Sequence, residues 1–260
     1  MQPQEISPQS ILLLVNMQII KPRVPVINWN NPITKGLVFE MPLFERGGTT
    51  VIDKNLSKIT GTLTNSPTWV TDLVGIGVKF VAASSQYIQL SKNPTTANVG
   101  TDCAIEALIK PTTLPQTAGT IFHLGQDNSY GFGLNIGNGS GGSGSQLEGL
   151  NDSVAWIGGG PTLTNNVVQH VGFVHRNSQW YYYLNGVEYA SGSNTTNGGM
   201  NSGATIGASQ SSTLTASRFF DGIIFYVRYW TRGLAKKEFQ QLAANPFQIY
   251  SQPGLLRMPN

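Results

Sequence analysis

The stretch SRFFDGIIFYVRYWTRGLAKKEFQQLAANPFQIY, residues 217–250, decides the fold. It reads as a strand, then a sharp break, then one short amphipathic helix closed by Asn245-Pro246. Side chains alternate along a strand, so Phe220, Gly222, Ile224, Tyr226, Arg228 and Trp230 are expected on one face. Asp221, Ile223, Phe225, Val227 and Tyr229 then share the other. Both sets are largely apolar, which is the mark of a central strand covered on both sides. A lone helix closing a strand-rich chain marks an architecture and says little about chemistry.

Working outward, the chain from Gly36 reads as a succession of short apolar runs separated by turn residues. GLVFEMPLF ends at the Gly47-Gly48 turn, and CAIEALIKPTTL places Cys103, Ile105, Ala107 and Ile109 on one face. GTIFHLGQ and YGFGLNIGNG follow, split near Asp127-Asn128, and GSGGSGSQL reads as a flexible loop tip. VGFVHRNSQWYYYLNGVEYAS reads as an antiparallel hairpin with a second tight turn at Asn185-Gly186. Roughly a dozen such strands, 8 to 12 residues apart, predict an all-β two-sheet sandwich or jelly roll.

Composition agrees. Charged residues make up 11% of the chain, against a usual ~25%, and 30 glycines accompany many Thr, Ser and Asn. The surface is therefore expected to be solvated by neutral polar groups. The net charge of +3 comes from scattered positives such as Lys21, Arg23, Lys35, Arg46, Lys54 and Lys58, not from a basic stripe, which argues against nucleic-acid binding. Cys103, the single cysteine, reads as a small buried hydrophobe, and no intramolecular disulfide can form.

Residues 1–32 read as an extended N-terminal arm, 33–250 as the jelly-roll domain and 251–260 as a tail. Pro22, Pro25 and Pro32 oppose a helix in the arm. The apolar run in ILLLVNMQII is interrupted by Asn16 and Gln18 and is far short of the ~20 residues a membrane span needs. Its leader, MQPQEISPQS, lacks the positive start of a signal peptide. An apolar arm of this kind calls for a cover, so Ile11, Leu12, Leu13, Leu14, Val15, Ile19, Ile20 and Trp29 are the candidate anchoring residues toward a neighbouring subunit.

The order of segments resembles a family. GLVFEMPLFERGGTTVIDKNLSKITGTLTNSPTWV, VKFVAASSQYIQL, CAIEALIKP, the NGV hairpin, ATIGAS and RFFDGIIFYVRYWTRGLAKKEFQQLAANPF are similar in sequence and order to laminin-G-like, concanavalin A-like jelly rolls found in many phage and secreted proteins. The resemblance covers roughly residues 34–250 and implies two antiparallel sheets packed face to face, a concanavalin A-like sandwich with one C-terminal helix. It implies little about activity, because the scaffold hosts lectins, glycosidases, adhesion modules and virion parts. Family members commonly carry an acidic turn where this chain has VAASSQ, residues 81–86; without a carboxylate there, a calcium role is weakly supported and no cofactor is expected.

The chemistry-bearing residues point the same way. A glycosidase needs two carboxylates flanking the scissile bond, and no Glu-x-Asp-x-Glu run exists among the 13 acidic residues; Glu106 and Glu188 stand alone in their strands. His170 and His175, five apart on one strand, face opposite ways and cannot share a metal from that strand. In the run Trp180-Tyr181-Tyr182-Tyr183 at least one alternate pair is expected in the core. Tyr130, Asn151, Asp152 and Trp156 are the candidate glycan-binding residues, an aromatic platform beside polar turn groups. The expected function is that of a non-enzymatic structural protein on the surface of a tailed-phage virion, a capsid decoration, cement or fibre-type subunit. It would be made in the host cytoplasm, be oligomeric, and dock on capsid or another virion protein, with no membrane or nucleic-acid partner. The alternatives are a lectin-like module binding a cell-surface glycan and, third, a glycoside hydrolase.

Overall fold

The computed structural model describes residues 21–22, 24–94, 102–126, 130–151, 155–192, 203–210 and 215–251. The arm residues Ile11 to Val15, Ile19 and Ile20 lie outside the described residues, as does Asp152.

In chain order the strands begin with β1 (Leu37–Met41), β2 (Thr50–Ile52), β3 (Thr60–Thr64), β4 (Thr68–Asp72), β5 (Gly75–Phe80) and β6 (Tyr87–Leu90). Next come β7 (Cys103–Pro111), β8 (Gln116–Thr117), β9 (Gly119–Gln126), β10 (Tyr130–Gly137), β11 (Ser143–Gly144), β12 (Gln146–Asn151) and β13 (Ala155–Ile157). The hairpins β14 (Gln169–Arg176), β15 (Gln179–Leu184) and β16 (Val187–Gly192) follow. The series ends with β17 (Ala204–Ile206), β18 (Ser209–Gln210), β19 (Ala216–Ser217), β20 (Gly222–Trp230) and the helix α1 (Lys236–Ala244). Two antiparallel sheets result. Sheet I runs β16-β15-β14-β7-β20-β5-β4, with β1 also on β20; sheet II runs β13-β12-β10-β9-β17-β6-β3-β2.

As its composition predicts, β20 is central and all nine of its residues are buried. It pairs with β7 along one side, while β5 and β1 share the other. The face assignment needs one correction. A bulge between Ile224 and Tyr226 inserts an extra residue, and an extra residue reverses the alternation beyond it. Ile224, Val227 and Tyr229 therefore join the core between the sheets. Ile223, Phe225, Tyr226 and Trp230 pack on the outer side of sheet I.

The gap that β5 and β1 leave along β20 is filled by Lys21. Its ammonium donates to the carbonyls of Phe225 (2.6 Å), Leu43 (2.8 Å) and Ile76 (2.8 Å), three acceptors for its three protons. Burial pulls this ammonium down to about 7 against the attraction of Glu40 and Glu45. Farther along the arm, Ile27 bridges to Tyr250, and the amides of Asn28 and Ser251 donate to the carbonyls of Ile249 and Val26.

The core between the sheets includes Cys103, Ile105, Ala107 and Ile109 together, as their spacing predicts. Phe173 stacks there between Trp180 (4.5 Å between ring centroids) and Tyr182 (4.9 Å). Both alternate pairs of the aromatic run are used: Trp180 and Tyr182 between the sheets, Tyr183 against Phe239 of α1. The second core, on the outer face of sheet I, is covered by Ile27 and Ile33, by Phe239 and Leu242 of α1, and by Phe247, Ile249 and Tyr250. Glu238 accepts from the Ala235 amide at the start of α1 and is itself held by Arg232. The stretch GSGGSGSQL, expected as a flexible tip, is built into the fold: β11 pairs with β8, and the amides of Gly139 and Gly141 just before it bind Glu148. Glycine suits it because backbones meet closely there; a Cβ on Gly144 would stand 2.2 Å from the Gly137 carbonyl oxygen.

Candidate functional site

Two polar constellations stand out, and their surroundings separate them. The first crosses three neighbouring strands of sheet I, where Glu40 of β1 pairs in register with Arg228 of β20, and Arg228 with Glu106 of β7. Arg228 Nε donates to Glu40 (2.5 Å) and Nη1 reaches both oxygens of Glu106 (3.2 Å each) and the Pro246 carbonyl (2.7 Å). Tyr250 donates to Glu40, while Tyr226 and the His170 ring hold Glu106 at 2.7 Å each. Burial lifts the Glu40 carboxyl above the usual range despite Arg228 and Tyr250. Burial opposes the charge on Glu106 too, yet Arg228, His170 and Tyr226 hold its carboxyl below that range.

Sequence reading left Glu106 without a partner; the fold supplies one carboxylate and one guanidinium from far along the chain. All three side chains are fully buried beneath the C-terminal segment. Hydrolysis needs one carboxyl free to donate and room for the sugar and a water. Here both carboxyls are clamped and neither reaches solvent, so the constellation is a structural tie.

The second constellation lies on the outer face of sheet II. In β10, Phe132, Leu134 and Ile136 point into the core, which turns Gly131, Gly133, Asn135 and Gly137 outward. Asn135 is thus a lone side chain on a carpet of glycine. Glu148 of β12 stands directly opposite it. One strand over, Gly133 faces His123 of β9, and the same transverse line continues through Thr205 of β17, Gln89 of β6 and Thr62 of β3. Thr62 is exposed and Gln89 half-buried, whereas Thr205, His123, Asn135 and Glu148 are buried. The face therefore grades from open to enclosed.

At the enclosed end, hydrogen bonding is incomplete. Glu148 Oε2 accepts from the amides of Gly139 (2.8 Å) and Gly141 (3.3 Å), but Oε1 has no partner. Neither amide atom of Asn135 has one. Gln210 of β18 donates through Nε2 to Gln89 (2.6 Å), and its own Oε1 is unpartnered. A buried polar atom left unpaired costs about 1–3 kcal/mol, so its retention asks for an explanation such as a bound ligand. Burial raises the Glu148 carboxyl above its usual range, opposed by the two glycine amides and by Arg218.

Of the residues singled out from sequence, Tyr130 sits in β10, Asn151 in β12 and Trp156 in β13, with Trp156 in register with Leu150. Their side chains, and all of Asp152, lie outside the described residues. Sequence reading missed Asn135, Glu148 and Gln210 by searching for aromatic platforms; the alternation of glycine with large apolar residues in YGFGLNIG was the available signal. His170 and His175 do face apart, the first on Glu106 and the second against Trp180. Among the described residues no group of three or more His, Cys, Asp or Glu is arranged to hold a metal ion. None of their helices is long and apolar enough to cross a membrane.

The Laminin_G_3 family model, described as the concanavalin A-like lectin/glucanases superfamily, matches residues 82–240. Domain 4 of AbnA, a GH43 extracellular arabinanase from Geobacillus stearothermophilus, in complex with arabinotriose, superposes with a TM-score of 0.60 at 19% identity over 80% of this chain and 98% of that one. Trypanosoma rangeli sialidase in complex with sialic acid gives 0.60 at 16% over 94% of this chain but only 40% of its own. The binding domain of Paraclostridial Mosquitocidal Protein 1 gives 0.61 at 14% over 81% of this chain and 52% of its own. At such identities the likeness is one of fold. No curated protein matches the sequence.

Proposed function

Because this chain belongs to the concanavalin A-like lectin/glucanase superfamily, we propose that it is a carbohydrate-binding module that holds its ligand on the outer face of sheet II without cleaving it. One observation carries the reading: Asn135, Glu148 and Gln210 keep unpaired, buried polar atoms on a single face. Sugar hydroxyls both donate and accept, so a glycan satisfies an amide and a carboxyl oxygen together, and the face is most exposed on the side of Thr62 and half-buried Gln89. Non-catalytic binding is supported by the pattern of acids among the described residues, where the converging pair Glu40 and Glu106 is locked in a sealed ion network.

Asn135→Leu tests this with opposite expected signs. Removing an unpaired buried amide while keeping the branched heavy-atom shape of the side chain is expected to stabilise the fold by about 1–2 kcal/mol. The same variant loses glycan binding on an array and by calorimetry. A destabilised variant that still binds would assign Asn135 to the architecture and refute the reading.

A second reading, a structural subunit of a tailed-phage virion, is favoured by the arm. Pro25 and Ile27 are buried, whereas Val24 (76% exposed), Val26 (58%) and Trp29 (48%) turn apolar surface to solvent. Such a strip suits addition to a neighbouring subunit. Val24→Asp with Val26→Asp leaves the buried residues in place and is expected to change stability by less than about 0.5 kcal/mol. On this reading the double variant is missing from purified particles by mass spectrometry while the unaltered chain is present. Equal incorporation removes the reading.

A further inference from the structure

We infer that the face built by Asn135, Glu148 and Gln210 selects neutral, hydroxyl-only glycans and excludes those bearing carboxylates; this rests on the carbohydrate-binding reading and narrows it to one chemical class. Charge and unused hydrogen-bonding capacity on this face set the selectivity. Along the transverse row Thr62, Gln89, Thr205, His123, and at Asn135 and Gln210 beside it, no side chain carries a permanent charge. The charged group at the enclosed end is Glu148, and Arg218 lies close enough to act on it. Among the described residues of this face the two opposite charges offset one another, so an acid meets no net positive charge from them.

The unused atoms are equally selective. Asn135 contributes one free donor pair and one free acceptor, and Glu148 Oε1 and Gln210 Oε1 contribute further oxygens. A hydroxyl can donate to each of these oxygens. A ligand carboxylate is acceptor-only: Asn135 Nδ2 can donate to it, but against Glu148 Oε1 and Gln210 Oε1 it sets oxygen on oxygen, and the nearby cation, Arg218, is already offset by Glu148. Rejection by a mismatched buried polar group is how binding sites discriminate strongly between ligands of similar shape.

The test uses the full chain against neutral arabinan and galactan and against acidic polygalacturonate and polysialic acid, by affinity electrophoresis and calorimetry. Neutral polymers are expected to bind at least about tenfold more tightly than acidic ones at matched ionic strength. Glu148→Gln removes the negative charge but keeps an oxygen and adds a donor. It is expected to narrow the preference for neutral over acidic polymers by at least about threefold, whichever way neutral binding itself moves, and an unchanged ratio would overturn the selectivity. Acidic polymers binding as well as neutral ones, with that binding lost in Asn135→Leu, would overturn the selectivity and leave the carbohydrate reading intact. Binding of neither class, or binding that Asn135→Leu does not change, would overturn both.

Discussion

Arg228→Met is expected to destabilise the fold by about 3–5 kcal/mol near neutral pH, the range for removing one partner of a buried ion pair. The reason is the row Glu40–Arg228–Glu106, in which one guanidinium serves two fully buried carboxylates and the Pro246 carbonyl. Methionine fills much of the volume but leaves both acids without a cation. They must then take up protons, so their folded pKa values rise above the unfolded ones. A group with a raised folded pKa contributes stability below its unfolded pKa and loses it as pH rises through the folded value. The deficit of the variant is therefore smallest below the unfolded glutamate pKa, ~4.3, and grows toward neutrality, and urea unfolding at both conditions reads it directly. Adding Glu40→Gln and Glu106→Gln to the variant is expected to restore more than half of the loss at neutral pH. A loss independent of pH, or no recovery in the triple variant, would show that packing and not charge is what Arg228 supplies.

Gly149→Val is the second large effect. A Cβ at Gly149 would stand 2.1 Å from Cζ of Phe173 and within 2.7 Å of its two neighbouring ring atoms. The ring cannot step aside, because Trp180 and Tyr182 stack on it from within the same core. Tyr182 also crosses from sheet I to accept from the Gly149 amide and donate to the Ile157 carbonyl, and a displaced β12 breaks both bonds. Overpacking of a tight core costs about 1–3 kcal/mol, and the two broken bonds add to it, so a loss of about 3 kcal/mol or more is expected. Glu148 adjoins this position, so on the carbohydrate-binding reading proposed above glycan binding is expected to fall as well. Phe173→Leu in the same chain opens space and is expected to recover part of the stability. Thermal unfolding of the single and double variants measures it; a single variant as stable as the unaltered chain would contradict the packing described for the two sheets.

The two constellations differ in how far sequence could reach them. Local periodicity was enough for the central, doubly covered β20, for the closing helix, for the shared face of Cys103, Ile105, Ala107 and Ile109, and for the opposed histidines. These are consequences of chain geometry over a few residues, where a period of two or of 3.6 forces side chains to one side or the other. The bulge between Ile224 and Tyr226 escaped, because an extra residue in a strand is defined by what its neighbours pair with.

Strand order is where the tertiary structure took over. Positions 40, 106 and 228 become one Glu–Arg–Glu row only because β1, β20 and β7 lie side by side in register. Glu148 meets Asn135 because β12 returns along β10, and Gln210 comes over from β18 to Gln89. The residues of residues 217–250 determined that there would be a central strand and a capping helix. Which acids that strand's arginine would neutralise, and which amides would be left unpaired on the far sheet, was decided by non-local pairing, since an alternating pattern tells a strand which face to bury but not which strand to lie beside.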